Sequence, residues 1–226
     1  MNYKKVENCH ISGSNNLKMI LSLGLIPPVN QMSKIDDRPK EQLFFPTELY
    51  YSPVSKLVQL GITVNKEILF PKEYPYTSST TKILRDNFKE LSEEVFSNFN
   101  ISREDLVIDI GSNDGNLLSN FKDKTKVLGI TPEDICKIAI ERGIPTIQDY
   151  FSKELSKKIL FKYGKAKIIT ATNVFAHIDN IDEVLNSIYN LLDDKSIFIS
   201  ESHYLYTLIN ENQYDTIYHE HLRYYS

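Results

Sequence analysis

The sequence predicts an α/β fold in which helices cover both faces of a parallel, doubly wound sheet. Leu106–Ile110 reads Leu-Val-Ile-Asp-Ile, and a strand with almost no polar face belongs inside a covered parallel sheet. A turn with glycines at 111 and 115 follows directly, and then apolar residues at helical spacing. From there to residue 200, runs of strand length alternate with runs of helix length, which is typical of right-handed crossovers.

The elements of this sheet domain follow one another in a regular order. After the first strand, further strands are predicted over 126–130, 145–147, 167–172 and 196–200. The predicted helices between and after them cover 115–122, 133–142, 152–162 and 180–192. Ligands of such sheets bind at the carboxyl ends of the strands, so the residues directly after each strand are the candidate site.

The sequence before this sheet divides into two further parts. Residues 1–62 hold short apolar pieces between prolines and predict a small irregular or β-rich module. Between Ser78 and Phe99 apolar residues recur at helical spacing, behind serines and threonines that can cap a helix. We therefore predict a module over 1–62, a helical connector over 63–100 and the sheet domain over 101–226.

Composition excludes several classes of function. The 226 residues carry a net charge of −4, which implies no general attraction to nucleic acid. No run of about 18 apolar residues exists to span a bilayer, and Glu7, Asn8 and His10 interrupt any signal-peptide core. The two cysteines, Cys9 and Cys136, lie far apart and suggest no disulfide framework. The prediction is a cytoplasmic protein that binds neither membranes nor nucleic acid.

The glycine turn matches neither common phosphate-binding motif. No Lys-Ser/Thr pair follows Gly115, and positions 113 and 116 are asparagines rather than glycines. Asp109 and Asp114 bring negative charge to the turn, which disfavours a phosphate and favours a cationic ligand such as an ammonium or a sulfonium. S-adenosyl-L-methionine carries both. The alternative is a structural strand–helix turn in which Asp114 caps the helix.

Several segments together resemble one family, the sugar C-methyltransferases, which methylate a carbon next to the ketone of a nucleotide-linked deoxysugar. The family combines a zinc-binding N-terminal module, an S-adenosylmethionine domain and a C-terminal domain. The resemblance covers nearly all of this chain and implies a Rossmann-like class I methyltransferase sheet, here incomplete at about five strands. The matching segments are Leu23-Gly24 with Pro27-Pro28, Val58-Gln-Leu60, Tyr74-Pro-Tyr-Thr-Ser-Ser79, Asp109-Ile-Gly-Ser-Asn-Asp-Gly115, Asn173-Val-Phe-Ala-His-Ile178 and Tyr214-Asp-Thr-Ile-Tyr-His-Glu-His-Leu222.

The resemblance implies a carbon methylation that begins with loss of a proton next to a carbonyl. Histidine is a natural base for such a step, and a second donor must stabilise the enolate oxygen. By resemblance His221 is the base, with Glu220, Tyr218 and Tyr76 around a nucleotide-sugar substrate. The implied cofactor-binding residues are Asp109, Gly111, Asn113, Asp114, Gly115, Thr131, Asn173 and His177. The alternatives are a polar loop packed on the sheet end at 218–221 and a structural role for His177.

The chain departs from the family at two sets of positions. The two C-x-x-C pairs of the zinc module read Cys9-His-Ile-Ser12 and Ser52-Pro-Val-Ser55, so we predict no structural zinc and a module held by apolar contacts alone. Thr131 stands where an acid usually binds the ribose hydroxyls. Glu133 or Asp134 would substitute if the turn were shifted.

The third departure is length. A methyltransferase sheet has seven strands, whereas five are predicted here, and strand 196–200 is left with an unpaired edge. We therefore expect a C-terminally truncated chain, and two hypotheses about its function follow. The first is an S-adenosylmethionine-dependent C-methyltransferase acting on a nucleotide-linked 4-keto-deoxysugar. The second is a non-catalytic remnant that binds the cofactor weakly or assembles with a separate chain supplying the missing part. A nicotinamide reductase is disfavoured because its phosphate-binding glycines are missing.

Overall fold

The computed structural model describes residues 2–32, 35–36, 38 and 41–226. The chain forms two compact units. The first unit comprises the chain up to Pro71 with Phe175–Asp179 and Ser202–Ser226, and the second comprises Lys72–Val174 and Asn180–Glu201. The predicted boundaries at 62 and 100 are not the bounds of these units.

The elements are numbered here in chain order. The strands are β1 (Tyr3–Lys5), β2 (Lys18–Ile26), β3 (Phe45–Tyr51), β4 (Val58–Leu60), β5 (Ile62–Val64), β6 (Leu106–Ile110), β7 (Lys126–Ile130), β8 (Thr146–Ile147), β9 (Ala166–Thr172), β10 (Leu192–Glu201) and β11 (Arg223–Tyr224). The helices are α1 (Lys66–Leu69), α2 (Lys82–Asn98), α3 (Cys136–Glu141), α4 (Lys153–Tyr163), α5 (Ile181–Leu191) and α6 (Leu205–Asn210).

The second unit contains the predicted parallel sheet. Its strand order is β10-β9-β6-β7-β8, and every pairing is parallel. The central strand β6 is buried along its whole length, and Ile108 lies opposite Leu128 on one side and Ile169 on the other. This confirms the predicted α/β fold. Within the described ranges, β10 pairs with a strand on only one side.

One predicted element of this unit is wrong. Residues 115–122 were expected to form a helix, but the structure has only a 3₁₀ turn at Leu118–Asn120. The Asn120 amide donates to the backbone carbonyl of Asn116 at 3.2 Å, and the Ser119 hydroxyl donates to that of Gly115 at 2.9 Å. Such local side-chain bonds offer the backbone an alternative to a regular helix.

Three of the four α-helices described in the second unit, α2, α4 and α5, begin at polar caps. The side chains of Thr81, Ser152 and Asn180 accept hydrogen bonds from backbone N–H groups in the first turns of α2, α4 and α5. The apolar face of α2 joins the main core of the unit, where the Phe96 and Phe121 rings lie 5.2 Å apart. This packing fixes the 3₁₀ turn, and with it the glycine turn, against the sheet.

The first unit is built from antiparallel strands, which confirms the predicted β-rich character of the N-terminal region. One sheet has the order β11-β4-β3-β2, and β1 pairs with β5. Strand β11 joins because Leu222 and Tyr224 bury their side chains with Leu49, Val58 and Leu60. None of the described helices has the length and the apolar run that a bilayer crossing requires.

Candidate functional site

The glycine turn of the second unit has a backbone that only particular residues tolerate. Gly111, Asn113 and Gly115 all have positive φ, at 77°, 50° and 78°. The amides of Gly111 and Ser112 both donate to the carbonyl of Ile130, at 2.8 and 3.0 Å. A Cβ on Gly111 would lie 2.2 Å from Val174 Cγ2, so no larger residue fits there. The turn is thereby held at the carboxyl end of β6.

Asp109, at the end of β6, is buried and close to neutral. Its side chain is 2% exposed, and it accepts a hydrogen bond of 2.6 Å from the Thr170 hydroxyl. Burial raises the pKa of Asp109 to about 7, against the opposing effect of the Thr170 bond. This acid therefore gives the turn less negative charge than the sequence indicates.

Asp114 is also compensated within the chain. Its fully buried carboxylate accepts hydrogen bonds from the Ser78 hydroxyl at 2.6 Å and from Arg142 Nη1 at 3.0 Å. The Ser79 hydroxyl donates to its second oxygen. The two acids therefore bring less negative charge to the turn than expected, because Arg142 pairs with Asp114 and burial raises the pKa of Asp109.

The segment that carries Tyr76 lies on this turn. The Asn113 amide donates to the Tyr76 carbonyl at 3.1 Å, and the Ser78 amide donates back to Asn113 Oδ1 at 2.9 Å. The Tyr76 side chain remains half exposed, and burial together with Asp114 raises the pKa of its phenol. The fold therefore brings together Tyr76, implied at the sugar, and Asn113, implied at the cofactor.

The end of β7 places a buried acid beside Thr131. The Thr131 hydroxyl donates to Glu133 Oε2, both residues are buried, and burial raises the pKa of Glu133. Asp134, the other acid considered as a substitute, instead pairs with Lys137 at 2.9 Å and accepts from Gln148 at 2.7 Å. Of the two acids, Glu133 is the one that contacts Thr131 through its side chain.

The two remaining residues implied at the cofactor belong to different units. Asn173 follows β9 in the second unit with a positive φ of 56°, and its amide donates to Glu201 Oε1 at 2.9 Å. His177 belongs to the first unit, where its ring stacks on Phe70 with centroids 5.7 Å apart. Its other ring neighbour is His221, at 5.0 Å.

A histidine cluster, defined as His177, His203 and His221, occupies the first unit. The His221 ring lies 4.4 Å from His203 and 4.1 Å from Tyr218 between centroids. His221 Nδ1 is 2.7 Å from the backbone carbonyl of Thr216. Because a carbonyl only accepts, Nδ1 carries the hydrogen, and Nε2 of the neutral ring bears a lone pair.

Burial keeps this cluster unprotonated at neutral pH. Burial lowers the pKa of His221 to about 4, with the Thr216 bond opposing the shift and His203 adding to it. Burial also holds the pKa of His177 well below its ordinary value and lowers that of His203. His221 Nε2 can therefore accept a proton. At neutral pH none of the three rings of the cluster carries a positive charge.

The other members of the Tyr-His-Glu-His segment bind within the first unit. Glu220 accepts a hydrogen bond of 2.7 Å from the Asn30 amide. His219 Nε2 lies 3.0 Å from the Thr47 hydroxyl on β3. The predictions from sequence missed His203, Arg142 and Thr170. Of these three residues, only His203 could have been found from the sequence, because it follows the carboxyl end of β10.

The residues at the zinc positions do not fit zinc. Cys9 Sγ lies 3.0 Å from the Ser55 hydroxyl, and the Ser12 amide donates to the same sulfur at 3.5 Å. Structural zinc requires four Cys or His ligands, whereas this set offers one thiol and hydroxyls. Among the residues that the structure describes, no group of three or more His, Cys, Asp or Glu is arranged to hold a metal ion.

These contacts correct the expectation that apolar packing alone holds the module. Although burial raises the pKa of the Cys9 thiol, hydrogen bonds from Ser12 and Ser55 outweigh that effect and lower it to about 6. The Ser55 amide also donates to the Ser52 hydroxyl at 3.5 Å. The turn at residues 9–12 and the turn at residues 52–55, which hold the zinc positions, are thus joined by polar contacts.

Two family models match the chain. Residues 76–226 match the model described as "Methyltransferase domain", which is more than half of the chain. Residues 9–70 match the model described as "Putative zinc binding domain".

The chain is also similar to individual known proteins. "C-methyltransferase NovU" of Streptomyces niveus is 28% identical over 225 residues, which cover 99% of this chain and 53% of that protein. The chain thus spans about half the length of this curated relative. The YcgJ protein of Bacillus subtilis has a TM-score of 0.48 at 17% identity, over 62% of this chain and 63% of that chain. A SAM-dependent methyltransferase from Archaeoglobus fulgidus has a TM-score of 0.46 at 21% identity, over 56% and 57%.

Proposed function

The chain belongs to the methyltransferase-domain family, and on that premise we propose that it is an S-adenosyl-L-methionine-dependent C-methyltransferase acting on a nucleotide-linked 4-keto-deoxysugar. The relative from Streptomyces niveus, a C-methyltransferase by name, supports transfer to carbon. The observation that carries the proposal is the fixed tautomer of His221. Its Nδ1 donates to the Thr216 carbonyl, which leaves Nε2 as a proton acceptor.

His221 is proposed as the base that removes the proton next to the ketone. Carbon is not nucleophilic until that proton leaves, so a positioned acceptor is the first requirement of the reaction. A pKa of about 4 means that the ring is already unprotonated at neutral pH. The rings of Tyr218, His203 and His177 pack around it and hold its plane.

Tyr218 is the proposed stabiliser of the enolate oxygen. Loss of the proton moves negative charge onto the ketone oxygen, and a phenol donor next to the base can meet that charge as it develops. Its ring centroid lies 4.1 Å from that of His221. Glu220, held by Asn30, and Tyr76 are proposed to bind the sugar.

The second unit supplies the residues proposed to hold the cofactor. S-adenosyl-L-methionine supplies an electrophilic methyl group on a sulfonium. The glycine turn with Asn113 would hold its methionine part, in line with the close backbone approach that glycines allow. Glu133 beside Thr131 fits the two ribose hydroxyls, because a buried carboxylate accepts two hydrogen bonds. Asn173 follows the neighbouring strand.

One observation favours a second candidate, a fragment that binds cofactor without turnover. The chain covers 53% of its relative, so about half of that protein has no counterpart in the comparison. Calorimetric titration with S-adenosylmethionine addresses this first. No heat of binding at millimolar cofactor would overturn both candidates, whereas binding without turnover would favour the fragment.

The proposed reaction is tested by proton exchange and methyl transfer. A nucleoside-diphosphate-linked 4-keto-6-deoxyhexose is incubated with the protein in deuterium oxide, without cofactor. We expect deuterium at the carbon next to the ketone by mass spectrometry, and a gain of one methyl group once S-adenosylmethionine is added. Exchange no faster than in buffer would overturn the enolate route.

A further inference from the structure

We propose that Arg142 is a positioning residue that acts through Asp114 to hold Tyr76–Ser79 on the glycine turn. The inference rests on the proposed function for the role of Tyr76. It assigns Asp114 to the anchoring of a substrate-binding segment, and not to contact with the cofactor. All of the residues involved belong to the second unit.

Arg142 binds Asp114 in two ways. It is the residue directly after α3, and its Nη1 donates to the Asp114 backbone carbonyl at 2.9 Å and to Oδ2 at 3.0 Å. Its Nη2 donates to the Ser79 hydroxyl at 3.3 Å. The carboxylate is fully buried, and the guanidinium is the cation that forms an ion pair with it.

Asp114 passes this constraint to the Tyr76 segment. Oδ1 accepts from the Ser78 hydroxyl at 2.6 Å, and Oδ2 accepts from Ser79 and Arg142. Both oxygens are therefore turned to protein donors. Hydrogen bonds to a charged acceptor are stronger than neutral ones, so these contacts hold the two serines firmly.

The turn binds the same segment at its backbone. Asn113 binds the carbonyl of Tyr76 and the amide of Ser78, at 3.1 and 2.9 Å, and the Asn116 amide donates to the Ser78 carbonyl at 3.3 Å. Two asparagines and an aspartate of one turn thus bind three residues of this segment, Tyr76, Ser78 and Ser79. A shift of Asp114 would disturb Tyr76 through these bonds without any change at the carboxyl ends of the other strands.

The test compares Arg142→Gln with Lys137→Gln. Lys137 lies on α3 and pairs with Asp134 in an exposed ion pair, so its loss removes the same formal charge from the same helix. Amide hydrogen exchange of peptides that cover 76–79 is measured by mass spectrometry. In Arg142→Gln we expect exchange about tenfold faster there, because a buried carboxylate loses its cation. In Lys137→Gln we expect no change.

Kinetics separate anchoring from cofactor binding. For Arg142→Gln we expect the KM for the keto sugar to rise about tenfold while the Kd for S-adenosylmethionine changes less than about twofold. Arg142→Lys should restore part of the loss, since an ammonium replaces the charge but not the fork of donors. Adding Asp114→Asn to Arg142→Gln should slow exchange of 76–79 towards the wild-type rate, because the unpaired charge is gone.

The outcomes distinguish this inference from the proposed function. Unchanged exchange at 76–79 in Arg142→Gln would overturn the positioning role, whether or not the protein transfers methyl groups. A tenfold loss of cofactor affinity with unchanged sugar KM would also overturn it, since Asp114 would then serve the cofactor. Faster exchange in a protein that neither binds cofactor nor exchanges the sugar proton would instead overturn the proposed function alone.

Discussion

The two units differ in what burial does to their ionisable groups. All five histidines of the chain lie in the first unit, and those with a described shift have lowered pKa values, with His10 and His221 at about 4. The second unit instead buries acids, and the pKa of Asp109 is raised to about 7. The same desolvation therefore removes positive charge from one unit and negative charge from the other.

This difference gives the units opposite responses to acid. A histidine with a lowered pKa stabilises the folded state above about pH 6.5, and that contribution is lost as the pH falls towards 4. An aspartic acid with a raised pKa favours the folded state below about pH 4, and that contribution is lost as the pH rises through about 7. Protonation of His221 therefore weakens the first unit, whereas protonation of Asp109 strengthens the second.

The largest effect is expected from His221→Ala, which separates the chemistry of the first unit from the binding of the second. Deuterium exchange at the substrate carbon should fall by about 10²–10⁴-fold, because the general base is gone. Cofactor affinity by calorimetry should stay within about twofold. His10→Gln is the matched control, since His10 is also a partly buried histidine of the first unit with a pKa of about 4.

An equal loss of exchange in His10→Gln would contradict the role of His221 as the base. The loss would then reflect a lower stability of the first unit and not the removal of one particular histidine. Retained exchange in His221→Ala would show that another group is the base. In that case His203, at 4.4 Å, would be the next residue to substitute.

The next effect concerns the packing of the second unit. Gly111→Ala would place a Cβ 2.2 Å from Val174 at a φ of +77°, so we expect unfolding free energy to fall by about 3 kcal/mol in urea titrations. Gly143→Ala has nearly the same φ, +78°, with open space around the new methyl group. It should cost only about 1 kcal/mol. Equal costs would mean that strain alone, and not the contact with Val174, requires glycine at 111.

A smaller effect is expected from a change of pH alone, which should alter the stability of the two units differently. Between pH 7 and 5 the protection of first-unit amides should fall by up to about 2 kcal/mol for each of His10 and His221, after correction for intrinsic exchange rates, because both resist protonation. Protection of β6 and β9 should stay constant or rise. A parallel loss of protection in both units would show that they unfold as one cooperative body under acid.

The smallest effect is expected from a chelator. Purified protein should contain no stoichiometric zinc, and EDTA should leave its Tm unchanged, because Cys9 with hydroxyls cannot hold the ion. The triple substitution Ser12→Cys, Ser52→Cys and Ser55→Cys provides the positive control. It should bind about one zinc per chain and lose thermal stability on chelation. Stoichiometric zinc in the wild-type protein would contradict the expectation.

The sheet could be predicted because its pattern is local. Leu106–Ile110 has no polar face, and the alternation that follows admits few topologies, so the parallel sheet follows from periodicity. The helix expected over 115–122 failed because side-chain bonds of Ser119 and Asn120 to the backbone compete with a helix, and these depend on exact geometry.

The site was less predictable because its charges are settled by long-range partners. Asp109 and Asp114 look alike in the sequence, but burial raises the pKa of Asp109 whereas Arg142 pairs with Asp114, and no residue near either acid in the sequence indicates this difference. The tautomer of His221 depends on a backbone carbonyl, which any residue at 216 would supply. The positions themselves came from resemblance, and their roles remain to be tested by the substitutions above.

The discontinuous first unit has a consequence for biosynthesis. Arg223 binds the carbonyls of Phe175 and Ile178 and lies 3.4 Å from His10, a partner 213 residues earlier in the chain. A ribosome will have released every strand of the second unit before β11 exists, so the second unit can fold first and the nascent N-terminal strands must wait. During that interval the Leu49–Leu60 surface has no cover from Leu222 and Tyr224. Any dependence on chaperones should therefore arise from this surface, in the interval before Leu222 and Tyr224 have been synthesised.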